Sequence, residues 1–304
     1  MKKSFRAVAG SLLVVTALLS GCAAPAPRET EERICVVTTI YPIWDWVRCL
    51  GGEHVTVTLL QDSGVDLHSY QPTAEDMAAI TGCDLFVCVG GVSDGWVTDV
   101  LNAAGGTQPR ILRLLELLDR EETPEEEDHE HEADEHVWLS LKNADRLCRE
   151  IAAALAELDP AHQESYESNL VQYTGKLAAL DEKYRTAVDG AGLRTLVFGD
   201  RFPFRYLAED YGLTCFAAFS GCSAESEASF DTIVFLAEKV DELGLPAVLE
   251  LEGSRHQIAR TVARTAASAP CVLTLKDMQS ALPEETDYLT IMEENLTVLR
   301  QALG

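Results

Sequence analysis

The sequence is poor in positive charge. Its 304 residues include 24 lysines and arginines against 50 aspartates and glutamates, which gives a formal net charge of −26 at pH 7. Such a surface repels a phosphate backbone, so nucleic acid is a poor partner for this protein. The same surface attracts cations, which are the class of ligand that the composition favours.

Long apolar runs are also scarce. Beyond the N-terminus, no segment is apolar for the roughly 18 residues that a membrane-spanning helix needs. The N-terminus itself has a basic start, an apolar run over 8–19 and then the lipobox-like Leu19-Ser20-Gly21-Cys22. We predict a lipoprotein signal peptide over 1–21, lipidation of Cys22 and a flexible tether over 22–33. An ordinary signal peptide or an N-terminal membrane anchor is the alternative. The lipoprotein interpretation predicts an extracytoplasmic protein that its lipid anchors to the bacterial cell membrane.

Two common motifs of metal and redox chemistry are missing. No C-x-x-C pair occurs, which argues against a zinc ribbon or a thioredoxin-like site, and no H-E-x-x-H motif of zinc proteases occurs. The nine cysteines are nevertheless many for a bacterial protein of this size. Apart from Cys22 we interpret them as mostly buried thiols with one or two disulfides, whose pairing the sequence alone does not determine.

Short apolar runs alternate with helical patterns along the chain, which is typical of parallel α/β architecture. Helices are expected between the strands, near 42–50, 73–81, 94–104, 143–158, 204–211, 226–243, 254–267 and 284–302. The predicted strands are 34–39, 54–60, 84–90, 110–112, 194–199, 214–217, 247–250 and 271–274. Two sets of four strands predict two similar α/β lobes, each built on a mostly parallel four-stranded sheet with flanking helices.

A single long helix is expected to join the lobes. Asp159-Pro160 is a good helix start, and an apolar stripe at steps of three and four residues then runs from Tyr166 to Val188. We therefore predict an N-terminal lobe over 34–158, a rigid linking helix over 159–189 and a C-terminal lobe over 190–304. A coiled-coil dimer helix is the alternative, but the run is short for one, so we expect a monomer.

An acidic, histidine-bearing loop is predicted over 119–135. Residues 121–135 include ten acidic side chains and no basic one, together with His129 and His131. Repulsion at this density keeps a segment solvated. We interpret it as a low-affinity cation-collecting loop, and a plain acidic loop is the alternative.

Candidate metal ligands follow the predicted strands. Ligands of open parallel sheets bind beyond the carboxyl ends of the strands. His68 follows the second strand, Asp200 the fifth, and Glu252 and His256 the seventh, while His136 comes after the acidic loop. Imidazoles with one or two carboxylates suit zinc, and also manganese or ferrous iron. Each residue has an alternative role without a metal. The histidines are then surface side chains, Asp200 caps a helix and Glu252 is an exposed loop carboxylate.

Several motifs together resemble the metal-binding lipoproteins and periplasmic proteins that supply zinc or manganese to ABC importers, the cluster of solute-binding proteins with a long linking helix. The resemblance covers nearly the whole mature chain. Its motifs are Val36-Val37-Thr38-Thr39-Ile40-Tyr41-Pro42, His68 with Gln71-Pro72-Thr73, His136-Val137-Trp138-Leu139 with Asn143-Ala144, Tyr211-Gly212-Leu213, Ser223-Ala224-Glu225-Ser226-Glu227 and Asp287-Tyr288-Leu289.

The resemblance implies that His68 and His136 are ligands from the N-terminal lobe. The family's third histidine stands in a His-x-x-Phe-x-Tyr frame, but here that position is Arg201, which offers no lone pair. Asp200 beside it is the preferred substitute. The resemblance also implies an acidic ligand after the seventh strand, where His256 is favoured and Glu252 is the alternative.

These observations predict a substrate-binding lipoprotein that captures a divalent transition metal, with Zn²⁺ as the favoured ion, and passes it to a membrane permease powered by a cytoplasmic ATPase. The acidic histidine loop favours zinc over manganese, since the zinc members carry such a loop. The alternatives are a manganese or ferrous-iron binding protein of the same family, a surface adhesin, or a zinc hydrolase. The last would need an open coordination position and a general base, for which Glu252 is the candidate.

Overall fold

Two four-stranded parallel sheets form the framework of the protein. The computed structural model describes residues 33–61, 64–104, 108–119, 134–219, 228–254, 257–281 and 286–304. The strands are β1 (Ile34–Thr38), β2 (Val55–Leu59), β3 (Leu85–Cys88), β4 (Arg110–Arg113), β5 (Thr195–Phe198), β6 (Thr214–Ala217), β7 (Ala247–Leu251) and β8 (Cys271–Leu275). Their orders are β2-β1-β3-β4 and β6-β5-β7-β8, so the two sheets share one topology. The predicted fold class is confirmed.

The strand registers place the first and third strand of each half at the centre of its sheet. Val36 of β1 pairs with Val57 on one side and with Leu85 on the other. In the second sheet β5 likewise lies between β6 and β7. In each sheet the strand order therefore reverses between the two central strands. The crevice at the carboxyl ends of these strands is the expected ligand position.

Helices cover both sheets. They are α1 (Tyr41–Gly51), α2 (Ala74–Gly82), α3 (Trp96–Ala104), α4 (Leu114–Asp119), α5 (Leu141–Leu158), α6 (Gln163–Asp189), α7 (Arg205–Tyr211), α8 (Phe230–Leu243), α9 (Gln257–Thr265) and α10 (Tyr288–Leu303). The short α4 was not predicted. Within the described ranges, none of these helices has the length and apolarity that crossing a membrane requires.

The long helix α6 packs along both halves of the molecule. It has 27 residues, which corresponds to about 40 Å at 1.5 Å per residue. Near its start, the Asn169 side-chain amide donates to the carbonyl of Leu50 in α1 (2.9 Å). Near its end, the buried Tyr184 hydroxyl donates to the carbonyl of Met292 in α10 (2.6 Å). The helix is thus fixed to an element of each lobe.

One apolar core runs through both lobes, and each sheet has a second core on its other face. In β1, Val36 faces the shared core and Val37 faces the outer core of the first sheet. In β7, Leu249 faces the shared core and Val248 faces the outer core of the second sheet. Successive residues of a strand thus face different cores, and nearly all of them are apolar. A parallel sheet that is covered on both faces requires this pattern. The shared core also contains the fully buried Trp138, which lies two residues from His136.

Close packing at Gly199 provides a test of the fold. A Cβ atom at Gly199 would lie 2.3 Å from the Cα of Ala259, so backbone would have to move. Gly199→Ala should lower the free energy of unfolding by about 2 kcal/mol, measured by urea denaturation. Gly175→Ala is the matched control, because a Cβ there meets nothing within 4 Å and removes a helix-interior glycine. It should stabilise by about 0.5–1 kcal/mol. Unchanged stability of Gly199→Ala would contradict the described packing.

Candidate metal site

A short 3₁₀ turn after β2 presents His68. The turn spans Leu67–Ser69, and the side chain of Asp66 caps it by accepting a hydrogen bond from the His68 backbone N–H (2.9 Å). Leu67 is 1% exposed and anchors the turn in the shared core. The His68 side chain is thereby held with 24% of its surface exposed.

His136 is held more tightly. It precedes the 3₁₀ turn Val137–Leu139, whose residues are all fully buried. The carboxylate of Asp134 accepts from the His136 backbone N–H (2.9 Å) and lies 2.7 Å from Nδ1 of the ring. Ser140 then caps α5 by accepting a hydrogen bond from the Asn143 N–H (3.0 Å). His136 therefore lies just before the first turn of a rigid helix.

The two imidazoles face each other through their Nε2 atoms, which are 3.3 Å apart. In each ring the other nitrogen, Nδ1, faces an acceptor: Asp134 for His136 (2.7 Å), and Glu135 (3.3 Å) and the Ser93 hydroxyl (2.8 Å) for His68. A proton on Nδ1 leaves a lone pair on Nε2. Two nitrogens bound to one tetrahedral zinc at about 2.0–2.1 Å would be about 3.3 Å apart. The pair thus has the spacing of two ligands of one cation.

Glu135 controls the charge state of His68. The Ser93 backbone N–H and hydroxyl both donate to its carboxylate (2.7 and 2.5 Å), which fixes its position. Burial lowers the pKa of His68, but the hydrogen bond to Glu135 and the charges of Asp66 and Glu135 outweigh burial, and the pKa is raised. Burial raises the pKa of Glu135, but its hydrogen bonds with His68 and Ser93 leave that pKa lowered.

Two glycines allow Glu135 to approach this loop. A Cβ at Gly91 would lie 2.0 Å from Oε1 of Glu135, so no larger residue fits without displacing the carboxylate. Gly90 has φ = 91°, a conformation that disfavours side chains, and its N–H donates to buried Asp94 (2.9 Å). Burial raises the pKa of Asp94 to about 6. The glycine turn therefore positions Ser93 and Glu135 behind the His68 ring.

The segment Gly91-Val92-Ser93-Asp94-Gly95 also has the G-x-S-x-G spacing of a hydrolase nucleophile, between β3 and α3. The geometry argues against that role. The Ser93 hydroxyl donates to Glu135 at 2.5 Å, and it meets His68 at Nδ1, the same nitrogen that the acid approaches. In a catalytic triad the acid and the serine bond opposite nitrogens of the histidine. Here the opposite nitrogen faces His136 instead.

The C-terminal lobe closes one side of the site through three contacts. Arg201, which stands where the resemblance led us to expect a third histidine, forms an ion pair with Asp66 (3.1 Å). The Tyr206 hydroxyl donates to the carbonyl of Asp134 (3.0 Å). The Trp138 indole N–H donates to the carbonyl of Asp277 (2.8 Å). These contacts fix both histidine-bearing segments against the second lobe.

Asp200 and Glu252, the sequence-predicted ligands of the second lobe within the described residues, are not assembled around the pair. Both carboxylate oxygens of Asp200 accept backbone hydrogen bonds, from Arg201 (2.8 Å) and from Leu251 (3.2 Å). Glu252 is half-exposed and lies 3.5 Å from the ammonium of Lys276. Across the described ranges, no three histidine, cysteine, aspartate or glutamate side chains are grouped with metal-binding geometry. His256, His129, His131 and Cys22 lie outside the described residues.

Asp277 is a buried acid that the sequence reading overlooked. It follows β8, and its carboxylate accepts from the backbone and side-chain N–H groups of Gln279 (3.1 and 3.0 Å). Burial raises its pKa, while Gln279, the nearby His136 and Arg201 act in the opposite direction. The sequence signal was available, because Lys276-Asp277 stands at the carboxyl end of the last strand of the second sheet.

The zinc-uptake complex component A (ZnuA, periplasmic) family model matches residues 36–302. The zinc-binding lipoprotein AdcA of Streptococcus pneumoniae is 30% identical over 287 residues, covering 90% of this chain but 56% of the relative. This chain therefore spans about half the length of that relative. The high-affinity zinc uptake system protein ZnuA of Bacillus subtilis is 29% identical over 310 residues, covering 97% of this chain and 96% of the relative.

A solved structure supports the same relationship. The zinc-bound ZnuA-like domain of S. pneumoniae AdcA superposes with a TM-score of 0.74 at 28% sequence identity. The match covers 90% of this chain and 99% of that domain. The similarity therefore extends over both sheets and the helix between them.

The contact between Glu135 and His68 yields a test in the metal-free protein. Glu135→Gln removes the charge that raises the pKa of His68, so that pKa should fall, as followed by NMR titration of the imidazole. Glu252→Gln is the control, because Glu252 lies beside Lys276. It should leave the His68 titration unchanged. An unaltered His68 pKa in Glu135→Gln would contradict the described hydrogen bonding.

Proposed function

The chain belongs to the zinc-uptake complex component A family, the substrate-binding components of zinc-uptake ABC systems, and on this premise we propose that it captures Zn²⁺ between its lobes for delivery to an ABC importer. The family is one of transport binding proteins and not of enzymes. The observation that carries the proposal is the 3.3 Å approach of the His68 and His136 Nε2 atoms.

The electrostatics of the site favour a divalent cation. Asp66, Asp134, Glu135 and Asp277 surround the histidine pair or bond to it, and Arg201 is the basic side chain that faces them. Carboxylates behind metal-binding imidazoles fix the ring orientation and increase the basicity of the ligand. Nitrogen ligands favour zinc over manganese, for which oxygen ligands are more suitable.

We propose that the second lobe completes the coordination. His256 is the proposed third imidazole. Asp277 is our preferred carboxylate, because it is buried and interacts electrostatically with His136. Asp200 and Glu252 are the alternative carboxylates.

The cellular setting of this function is extracytoplasmic, in line with the periplasmic family. We further propose that lipidation at Cys22 anchors the protein to the membrane, as in the zinc-binding lipoprotein relative. A membrane permease and its cytoplasmic ATPase are then the partners that receive the ion. His129 and His131 are proposed to collect cations with low affinity before transfer to the main site.

Removal of either histidine tests the capture site. His68→Ala and His136→Ala should each weaken Zn²⁺ binding by more than about 100-fold. Loss of a residue that only orients a metal ligand costs roughly 10–100-fold, so a larger loss marks a direct ligand. Competition titration with a zinc chelator measures this. His54→Ala is the control, because His54 stacks on His162 (ring centroids 3.8 Å apart) before β2, at the opposite end of the sheet. Full affinity in either site variant would contradict the proposal.

The same titration should show a defined pH dependence. Zinc binds the deprotonated imidazole, and the pKa of His68 is raised above its ordinary value. In the parent protein, affinity should therefore begin to fall at a higher pH than an unperturbed histidine would give, and fall further as the pH decreases. In Glu135→Gln the onset should move to lower pH. A pH-independent affinity between pH 5 and 8 would contradict imidazole ligation.

The ligands from the second lobe can be distinguished by substitution. His256→Ala and Asp277→Asn should each weaken Zn²⁺ binding, and more strongly than Asp200→Asn. Glu294→Gln is the matched control, since Glu294 pairs with Lys276 on the surface (3.1 Å). Zn²⁺ and Mn²⁺ isotherms on each variant would measure the effect. Unchanged Zn²⁺ affinity in His256→Ala would exclude it as a ligand and leave the carboxylates.

A further inference from the structure

The second lobe places a fixed positive charge beside the candidate metal site. We propose that the guanidinium of Arg201 limits the affinity of this site for divalent cations and speeds the release of the bound ion. The inference rests on the proposed function, because it concerns the same site. It gives Arg201 a role in setting the affinity, in addition to its contact between the lobes.

The carboxyl end of β5 holds the Arg201 backbone in place. Asp200, the preceding residue, accepts a hydrogen bond from the Arg201 N–H (2.8 Å) through one oxygen. Its other oxygen accepts from the N–H of Leu251, the last residue of β7 (3.2 Å). One carboxylate thus joins the ends of the two central strands of the second sheet, and Arg201 leaves the sheet from a fixed point.

The Arg201 guanidinium reaches the turn that carries His68. Its Nη1 atom lies 3.1 Å from Oδ2 of Asp66. The other oxygen of Asp66, Oδ1, accepts the His68 backbone N–H (2.9 Å). The Arg201 and Asp66 side chains are 29% and 26% exposed, so the ion pair is largely shielded from solvent. A single carboxylate therefore separates the guanidinium from the backbone of a proposed ligand.

The charge of Arg201 acts on groups from both lobes that are proposed to bind the ion. Burial and Arg201 lower the pKa of His68, against the larger combined effect of Glu135 and Asp66, which raise it. Burial raises the pKa of Asp277, and Arg201 is among the groups that lower it. The guanidinium thus disfavours a proton at both positions. It must also disfavour Zn²⁺ there, because the ion carries twice the charge of a proton.

Arginine is suited to this role because its charge is permanent. A guanidinium stays protonated and offers no lone pair, so an incoming metal cannot convert it into a ligand. Carboxylates around the histidine pair attract the ion, and Arg201 cancels part of that attraction. Affinity differences between variants of one binding site are mostly differences in dissociation rate. A nearby positive charge is therefore expected to shorten the time for which the ion stays bound.

Arg201→Gln in the full-length protein tests the inference. Zn²⁺ affinity, measured by competition with a chelator, should rise about 10-fold or more, since repulsion over several ångströms in a partly buried site exceeds what a tenfold change requires. The Zn²⁺ dissociation rate, measured by stopped-flow mixing with excess chelator, should fall by a similar factor. Mn²⁺ affinity should also rise, because charge repulsion does not depend on the type of ligand. Arg201→Met also removes the charge and should behave in the same way.

Two further variants provide the controls. Arg201→Lys keeps the charge and should retain an affinity close to that of the parent protein. Arg194→Gln removes the same charge from the opposite end of β5, where Arg194 pairs with Asp189 (3.1 Å), and should leave Zn²⁺ binding unchanged. The melting temperature of metal-free Arg201→Gln should stay close to that of the parent, because a partly exposed ion pair contributes little to stability.

The outcomes separate this inference from the proposed function. If the parent protein binds Zn²⁺ but Arg201→Gln binds it equally well or more weakly, the inference is overturned and Arg201 is a structural contact. Tight binding by Arg201→Lys, equal to that of Arg201→Gln, would also overturn it, because the effect would then come from the guanidinium contacts and not from the charge. A parent protein that bound no Zn²⁺ would contradict the proposed function, and this inference with it.

Discussion

The convergence of the His68 and His136 Nε2 atoms is the interaction on which this protein depends. Without a cation between them, two imidazoles with protons on Nδ1 would direct lone pairs at each other across 3.3 Å. In the proposed function a bound divalent metal would replace that repulsion with two coordinate bonds, and the carboxylates behind the rings would keep the protons on Nδ1. In the proposed function the site is therefore incomplete until the ion is bound.

Most of the surrounding structure serves to hold this pair in place. His136 is fixed by the three fully buried residues that follow it, and Glu135 is fixed by Ser93 on a glycine turn that admits no larger residue. Arg201 and Tyr206 of the second lobe bond to Asp66 and Asp134 on either side. Side chains locked in this way maintain a metal geometry more reliably than loops held by solvent.

The same framework limits how the protein can move. The shared core runs through both lobes, and α6 is bonded to α1 near its start and to α10 near its end. A continuous apolar interface and a rigid helix oppose the large hinge motion seen in binding proteins with flexible crossovers. If the proposed site holds the ion, its release is expected to involve local changes in the histidine turns and in the ion pair between Arg201 and Asp66.

Sequence periodicity predicted all eight strands found in the described part of the chain, because parallel strands buried on both faces are short apolar runs bounded by turn residues. It missed α4, since Leu114–Asp119 is too short to show a helical period and follows β4 directly. His54 was assigned to β2, but it ends the 3₁₀ turn before that strand. Boundaries of this kind depend on local hydrogen bonds rather than on hydrophobic pattern.

The candidate site was predictable only in part, because some of its contacts join residues that are far apart in the sequence. His68 and His136 stand in distinctive motifs, whereas the roles of Ser93, Glu135 and Asp277 arise from contacts between residues distant in sequence.

The most direct test of the account is a crystal structure of the zinc-loaded protein with anomalous data at the zinc edge. We predict one strong peak about 2.0–2.1 Å from both Nε2 atoms. A zinc peak elsewhere, with His68 and His136 bound to no metal, would contradict it.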